Sequence, residues 1–507
     1  MSQSLTFQAS VLAGSRALGQ VLNALVGFIA ARQLLQADFG TFRQFYLLLA
    51  TLMPITDLGI SEALYYFLPR QPRQAAQIVK QALKVAVAAQ IGVVGALILF
   101  RGPIGASFQN PQLIELMLLF SLFLFFTVCA RPWEVQLVAQ QRVGAAALVS
   151  GGFEIVKSVV LIIVLFVTPD VRWMLWALVA VSGVRFLVFL VALGRELAAE
   201  SAEAITVRPM LAYSMALWVP GMINVAALQA HQFIVGLNFT PEDFAIYSVA
   251  CFQVPLLGVL TNSIIEVMLV QITGARAEGR HSEVRRVWYS ATQQSLAFLI
   301  PLSLGLAVLA TPLIVVAFGA RYEAAAPLFI ILLLGVPLNA IFTNNVLRAY
   351  GAMRDYTKFY IGRLILSLAL GWAGVTWFGM WGAAVSSIAA FYLVTAWQLR
   401  AVSGLLEISY SAVLPWAAIG RTIAASAAAS LPALACARWI PNPVLALIIG
   451  GAAFGLTYLL LAVRFGVIST EQLDRLQGLV RRISKRFFFD QGRKAFRAAD
   501  ADSGVHD

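Results

Sequence analysis

The sequence predicts an all-α polytopic membrane protein of about fourteen transmembrane helices, set out as two pseudo-symmetric six-helix lobes plus two C-terminal helices. Of its 507 residues, 60% are hydrophobic and only 12% are charged. A soluble chain cannot hide that much apolar surface, so the bilayer is part of its solvent. The apolar residues run in continuous stretches of about 20, the length that crosses a hydrocarbon core, and not in the alternating segments of a β-barrel. A local pattern also repeats: Asp38-Phe39-Gly40-Thr41-Phe42 returns as Asp243-Phe244-Ala245-Ile246-Tyr247, an offset of 205 residues. Each copy follows a hairpin link and opens a long apolar helix. An even number of helices separates them, so the copies share one topology about an axis along the membrane normal.

In chain order, spans are expected near 10–32, 42–66, 78–100, 112–135, 145–167 and 172–194, forming an N-terminal lobe over residues 1–194. A charged linker, 195–209, follows. Spans near 210–237, 245–271, 288–317, 325–349, 358–378 and 380–399 make the second lobe, 210–400. Two more fill 413–463. Residues 464–507 form a basic tail in which Ser469 and Gln472 make a capping box, and Leu473, Leu476, Val480, Ile483 and Phe487 recur at helical spacing among arginines and lysines. That pattern is an amphipathic helix held on a leaflet by anionic lipids.

Lys and Arg fall unevenly between alternate loops. One set carries Arg70, Arg73, Lys80 and Lys84, then Arg131 and Arg142, Arg195 and Arg208, the Arg276–Arg286 cluster, Arg348 to Arg363, and Arg400. The other holds only Arg32, Arg43, Arg101, Arg172, Arg321 and Arg438. The basic set marks the cytoplasmic side and places both termini there. The same bias explains the net charge of +12 without nucleic acid as a partner. Cys129, Cys251 and Cys436 sit far apart in apolar runs, which suits core residues and neither a disulfide framework nor a metal site. The segment Met1 to Phe7 lacks the basic n-region of a cleavable signal. There is no Walker A loop and no clustered His, Cys and carboxylate set, so neither nucleotide nor metal cofactor is expected.

Residues 16–70 show an Arg inside an apolar helix, then Asp38-Phe39-Gly40, then Asp57-Leu58-Gly59, and a Pro69-Arg70 close. Further on stand Phe318-Gly319-Ala320-Arg321-Tyr322-Glu323-Ala324-Ala325-Ala326-Pro327 and Gly379-Met380-Trp381-Gly382-Ala383-Ala384. In their order and spacing these segments resemble the polysaccharide-transport family, the repeat-unit flippases of the multidrug/oligosaccharidyl-lipid/polysaccharide exporter superfamily, over residues 10 to 400. The resemblance implies a non-enzymatic bacterial inner-membrane protein. It would move an undecaprenyl-pyrophosphate-linked oligosaccharide from the cytoplasmic to the periplasmic leaflet by alternating access. O-antigen, capsule or exopolysaccharide assembly would use the product, with polysaccharide polymerase and export machinery as further partners. Two rivals are a lipid II flippase and a cation-coupled multidrug exporter. The first shares the fold and the cationic cavity; the second would need acidic groups in place of basic ones.

Ionisable groups inside spans are costly and default to functional roles. Arg16 in span 1, Lys157 in span 5 and Arg185 in span 6 are the candidate contacts to a lipid pyrophosphate. Arginine offers planar bidentate donors to phosphate oxygens and keeps its charge. The resemblance singles out Arg16, because superfamily flippases place an arginine on span 1. Glu154 lies three residues before Lys157, close enough for an intrahelical pair. Glu266 in span 8 is the candidate ion-coupling carboxylate, with Asp57 and Glu62 as further coupling or charge-pair candidates near the end of span 2. His231 reads as a packing residue. Energy would come from a proton or sodium gradient, or from consumption of the product on the far side. Pro54, Pro132, Pro220, Pro255, Pro301 and Pro337 break or flank spans where alternating access needs hinges.

Overall fold

The computed structural model describes residues 5–199, 208–254 and 257–467, and every regular element among them is helical. The first half comprises α1 (Leu5–Gln33), α2 (Gln36–Thr56), α3 (Ile60–Phe67), α4 (Ala75–Leu99), α5 (Arg101–Ser107), α6 (Pro111–Cys129), α7 (Arg131–Ala139), α8 (Val143–Val167) and α9 (Val171–Ala199). The second comprises α10 (Arg208–Asn238), α11 (Pro241–Ala250), α12 (Leu257–Ala277), α13 (His281–Val308), α14 (Ala310–Phe318), α15 (Ala325–Leu333), α16 (Thr343–Ala349) and α17 (Met353–Leu405). Last come α18 (Trp416–Trp439) and α19 (Pro443–Arg464). Glu266 lies on α12, but its side chain is outside the described residues, as are most of the linker and the amphipathic tail.

Among the described residues, nine helices are long and apolar enough to cross a membrane, or eleven when two bent pairs each count as one span. The sequence count of fourteen is larger for three reasons. It includes the arginine-bearing α1, it includes the broken α11–α12 segment, and it divides α17. That division has a structural basis: Gly379 (φ 59°, ψ −142°) interrupts α17, and Ser386 Oγ donates to the Leu370 carbonyl at 2.7 Å across the fold. Gly374 and Gly382 meet there so closely that a side chain on either would overlap the other's backbone. Leu148, Val167, Val270, Trp377, Trp439 and Leu460 are each more than 70% exposed. Large apolar side chains spread over so many helices need lipid around them. This is a multi-pass membrane protein.

Two ends of the bundle can be told apart. The hairpin end carries the α1–α2, α8–α9 and α10–α11 turns; the linker end carries the α7–α8 and α9–α10 connections. At the hairpin end, the link after α1 is only Leu34 and Leu35. Asp38-Phe39-Gly40 therefore stands in the opening turns of α2, which begins at Gln36 and not near 42 as expected. Asp38 in the first turn suits the positive end of the helix dipole, and Gln112 Nε2 donates to it at 2.8 Å. Asn110 donates to Thr41 Oγ1 at 2.8 Å and to Gln44 Oε1 at 2.6 Å, tying α2 to the start of α6. Arg43 lies two turns inside α2 for the same reason, so it belongs to the span and not to a loop.

The two copies of the repeated motif pack face to face, with α2 against α11. A Cβ on Gly40 would overlap the Pro241 carbonyl, so glycine is what lets the two backbones touch. Gln36 donates to the Glu242 carbonyl at 3.1 Å beside this contact. Toward the linker end, Leu58 (φ 51°) and Gly59 (φ 68°) part α2 from α3, which bend by 44°. Gly59 faces the Ser214 carbonyl of α10, 2.8 Å from where a Cβ would stand.

Candidate functional site

Helix α1 packs along α8 through small residues: Gly151 faces Ser15, and Gly19 faces Glu154. Close backbone approach of this kind holds the polar side chains of both helices at fixed heights. Toward the linker end, Arg16 Nη2 lies 3.5 Å from Glu134 Oε1, and Arg185 Nη2 lies 3.5 Å from Glu134 Oε2. One carboxylate on α7 thus serves two guanidiniums on α1 and α9. Both contacts are loose for charge-assisted bonds, which prefer about 2.7–2.9 Å. Arg16 also lies beside the Tyr65 hydroxyl. Its side chain is 53% exposed, whereas that of Arg185 is 16% exposed. The Arg185 Nε hydrogen is buried with no acceptor among the described residues.

A second pair sits nearer the hairpin end. Lys157 Nζ lies 2.6 Å from Glu154 Oε2 on the same helix, and Asn23 Nδ2 of α1 donates to that oxygen at 3.0 Å. A third charge pair joins Arg131 to Asp57 at 3.7 Å. Asp57 also accepts from Ser61 Oγ at 2.9 Å and from the Ser61 amide at 3.4 Å. It therefore anchors the α2–α3 turn. Glu62 is exposed on α3, one turn before Tyr65. His231 Nδ1 is 2.7 Å from Tyr247 Oη, a satisfied pair inside the second half.

The structure thus brings Arg16 and Arg185 to one acceptor and leaves Lys157 with its own. A rise of 1.5 Å per residue puts the Cα of Arg185 at about 21 Å and that of Arg16 at about 25 Å from the hairpin ends of their helices; Lys157 is at about 15 Å. A separate cavity of ≈ 490 Å³, lined by Leu25, Phe28, Ile29, Phe252 and Leu306 with Arg32 at its edge, holds none of these charges.

Residues 29–327 match the sequence profile of a family described as "Polysaccharide biosynthesis protein", which is more than half of the chain. The chain belongs to this family. No curated protein matches over any part of its length. Among solved structures, the chain is similar to a protein described as "Lipid II flippase MurJ, inward closed conformation", with a TM-score of 0.66 and 15% identity over 91% of this chain and 98% of that one. It is also similar to an inward-facing multidrug resistance MATE family transporter of the MOP superfamily, with a TM-score of 0.61 and 13% identity over 77% and 96%. A third likeness is to a mutant of the Vibrio cholerae MATE transporter VcmN, with a TM-score of 0.53 and 14% identity over 79% and 96%. The fold of this polysaccharide biosynthesis protein is that of the MOP-superfamily transporters.

Glu134 was not among the residues expected at the site. The residue falls at the end of an apolar run, where a carboxylate is cheap and unremarked, and nothing local ties it to arginines 118 and 51 residues away. The signal available was the Arg131-Pro132-Trp133-Glu134 sequence itself. A proline there ends α6 and reopens the chain as α7, which carries the carboxylate into the bundle.

Proposed function

We infer that this protein is a lipid-linked oligosaccharide flippase, moving undecaprenyl-pyrophosphate-linked repeat units from the cytoplasmic to the periplasmic leaflet by alternating access. The observation that supports it best is the Arg16–Glu134–Arg185 arrangement. Two permanently charged, planar donors converge from different helices on a single loosely held carboxylate, and one buried N–H still lacks an acceptor among the described residues. A pyrophosphate offers several oxygens and more negative charge than one carboxylate. It would displace Glu134 and satisfy both guanidiniums bidentately.

In this reading the hairpin end faces the periplasm, as the Lys/Arg asymmetry of the loops requires. The head group enters from the linker end, meets Arg16 and Arg185, and passes toward Lys157, while the polyprenyl chain stays in lipid. The Arg16–Glu134–Arg185 group carries a net positive charge even with Glu134 in place, which disfavours a pump for cationic drugs. Asn23 and Asn344 are uncharged polar groups suited to contacting sugars. Glu266 is the candidate for coupling to a proton or sodium gradient. The basic tail would hold the inner leaflet through anionic lipids, and a polymerase would consume the delivered repeat unit.

The deciding experiment removes this protein from its bacterial host and follows lipid-linked intermediates. Pyrophosphate-linked oligosaccharide accumulating on the inner leaflet, with loss of surface polysaccharide, supports the flippase reading and reveals the sugar. Lysis with accumulation of lipid II would transfer the assignment to cell-wall synthesis. Normal glycolipids with altered drug tolerance would overturn it.

A further inference from the structure

We propose that Arg43 is a further head-group contact: the outermost anion-holding residue on the path, which takes the pyrophosphate after Lys157 and before release. The assignment rests on the flippase reading. Arg43 stands two turns into α2, at about 10 Å from the hairpin end by helical rise, against about 15 Å for Lys157 and about 21–25 Å for Arg185 and Arg16. Four cations on four helices thus form a graded series along the bundle.

The Arg43 side chain is continuous with that series. Tyr46 lies one turn further along α2, and its hydroxyl is within electrostatic reach of Lys157, Glu154 and Arg43. The face of α2 that bears Arg43 and Tyr46 therefore looks toward the Lys157 level. The surroundings of Arg43 also differ from those of other arginines in the bundle. Arg16, Arg131 and Arg185 each have a carboxylate within 4 Å. Arg363 lies over the Phe391 ring, 4.2 Å from its centroid. Arg32 and Arg321 donate to backbone carbonyls at helix ends. Among the described residues Arg43 has no carboxylate within 4 Å; its charge acts on Tyr46 and Cys251, and it donates to the Ser248 carbonyl at 3.4 Å. A guanidinium within a span needs compensation, and one long bond to a neutral carbonyl supplies little of it. An arriving phosphate supplies the rest.

The Ser248 carbonyl belongs to α11, in the opposite half. It occupies Arg43 while α2 and α11 are in contact and leaves it when they separate. Phosphate binding at Arg43 and opening at the hairpin end then favour each other, because the ligand takes the place of the gate's own acceptor.

The test uses the full-length protein purified and reconstituted in liposomes, with undecaprenyl pyrophosphate carrying one fluorescent N-acetylhexosamine as the probe. Binding from the linker-end side and the rate of appearance on the opposite leaflet are measured separately. Arg43→Gln should leave binding within about threefold of wild type and slow transfer by about tenfold or more, whereas Arg16→Ala should abolish binding. Arg43→Lys should recover most of the transfer rate, since a point charge still meets phosphate. Cys-free protein bearing Arg43→Cys should regain transfer on modification with a cationic thiosulfonate reagent and not with a neutral one of the same size, a rescue that mere packing would not show. Unchanged transfer by Arg43→Gln, or equal recovery with either reagent, overturns the assignment of Arg43 while the flippase reading stands. Wild-type protein that neither binds nor moves the probe overturns both.

Discussion

Arg32 and Arg321 exchange partners across the two halves of the molecule. Arg32, in the last turn of α1, donates to the Val316 carbonyl near the end of α14, and Arg321, just past α14, donates to the Ala31 carbonyl near the end of α1. Each helix leaves carbonyls without intrahelical partners at its C-terminus, the negative pole of its dipole. Here each pole is met by the arginine of its opposite number. Phe28, Phe252 and Phe318 fill the space alongside, with centroids 5.0–5.6 Å apart.

This exchange predicts a latch that is strong only as a pair. Arg32→Ala or Arg321→Ala should each loosen the hairpin end by about 1 kcal/mol, within the range for a cation at a helix C-terminus. The double variant should cost less than the sum, because each removal already frees the shared contact. Crosslinking between Gln36→Cys and Glu242→Cys in a Cys-free background reads the separation of α2 and α11. Yield should fall in the order wild type, single variants, double variant; equal yields would show that the arginines hold nothing shut.

Glu134 should act as a resident competitor for the head group. Glu134→Gln keeps the size of the side chain and removes its charge, leaving two guanidiniums without their shared anion. Affinity for a pyrophosphate lipid should rise by about tenfold, equivalent to about 1.4 kcal/mol, with slower release and lower turnover. Fluorescence titration of the purified protein measures the first, and reconstituted transfer the second. Weaker binding in Glu134→Gln would mean that Glu134 organises the arginines and does not compete with the ligand.

Lys157 and Glu154 allow a cleaner separation of structure from transport. Lys157→Met leaves Glu154 half-buried with Asn23 alone and should destabilise the fold by about 1–3 kcal/mol. Adding Glu154→Gln should recover most of that stability in a thermal unfolding assay. If Lys157 carries the head group, the stable double variant stays inactive; recovered transport would make the pair a packing device.

Gly40 and Gly59 should respond differently to alanine. At Gly40 the new methyl meets the Pro241 carbonyl, so α2 and α11 must part and crosslinking at the hairpin end should drop sharply. At Gly59 the backbone sits at φ 68°, which costs a non-glycine residue about 1–3 kcal/mol, and the Ser214 carbonyl crowds the same atom. Lower thermal stability with the hairpin-end crosslink intact is the expected result for Gly59→Ala.

The helical character and the membrane environment were legible because both depend on one-dimensional properties, the length and apolarity of runs. The packing of Asp38-Phe39-Gly40 on the segment after Pro241 gives its glycine a purpose that the sequence did not show. Helix ends were less accessible. Arg43 looked like a loop residue because polar residues are mixed into the α2 start, where Asp38, Thr41 and Gln44 are held by Asn110 and Gln112 from the start of α6. The site was half legible. Arg16, Lys157 and Arg185 stood out as charges in apolar runs, yet which acceptor each one meets depends on helices far away in the chain. Lys157 took the neighbour its spacing suggested. Arg16 and Arg185 met a carboxylate that lies 118 and 51 residues away in the chain.

On the flippase reading, sharing Glu134 between Arg16 and Arg185 also bears on what the protein does when no substrate is present. Bare arginines lining a route through the membrane would welcome chloride and inorganic phosphate, and each opening and closing would let some of them slip across. With a carboxylate already in the seat, a small free anion has little to gain by evicting it. A lipid-borne one arrives already concentrated in the bilayer and held by its tail, so it can wait for the exchange. The same two oxygens that make the arginines tolerable inside the bundle would thereby keep the membrane tight to ordinary electrolytes.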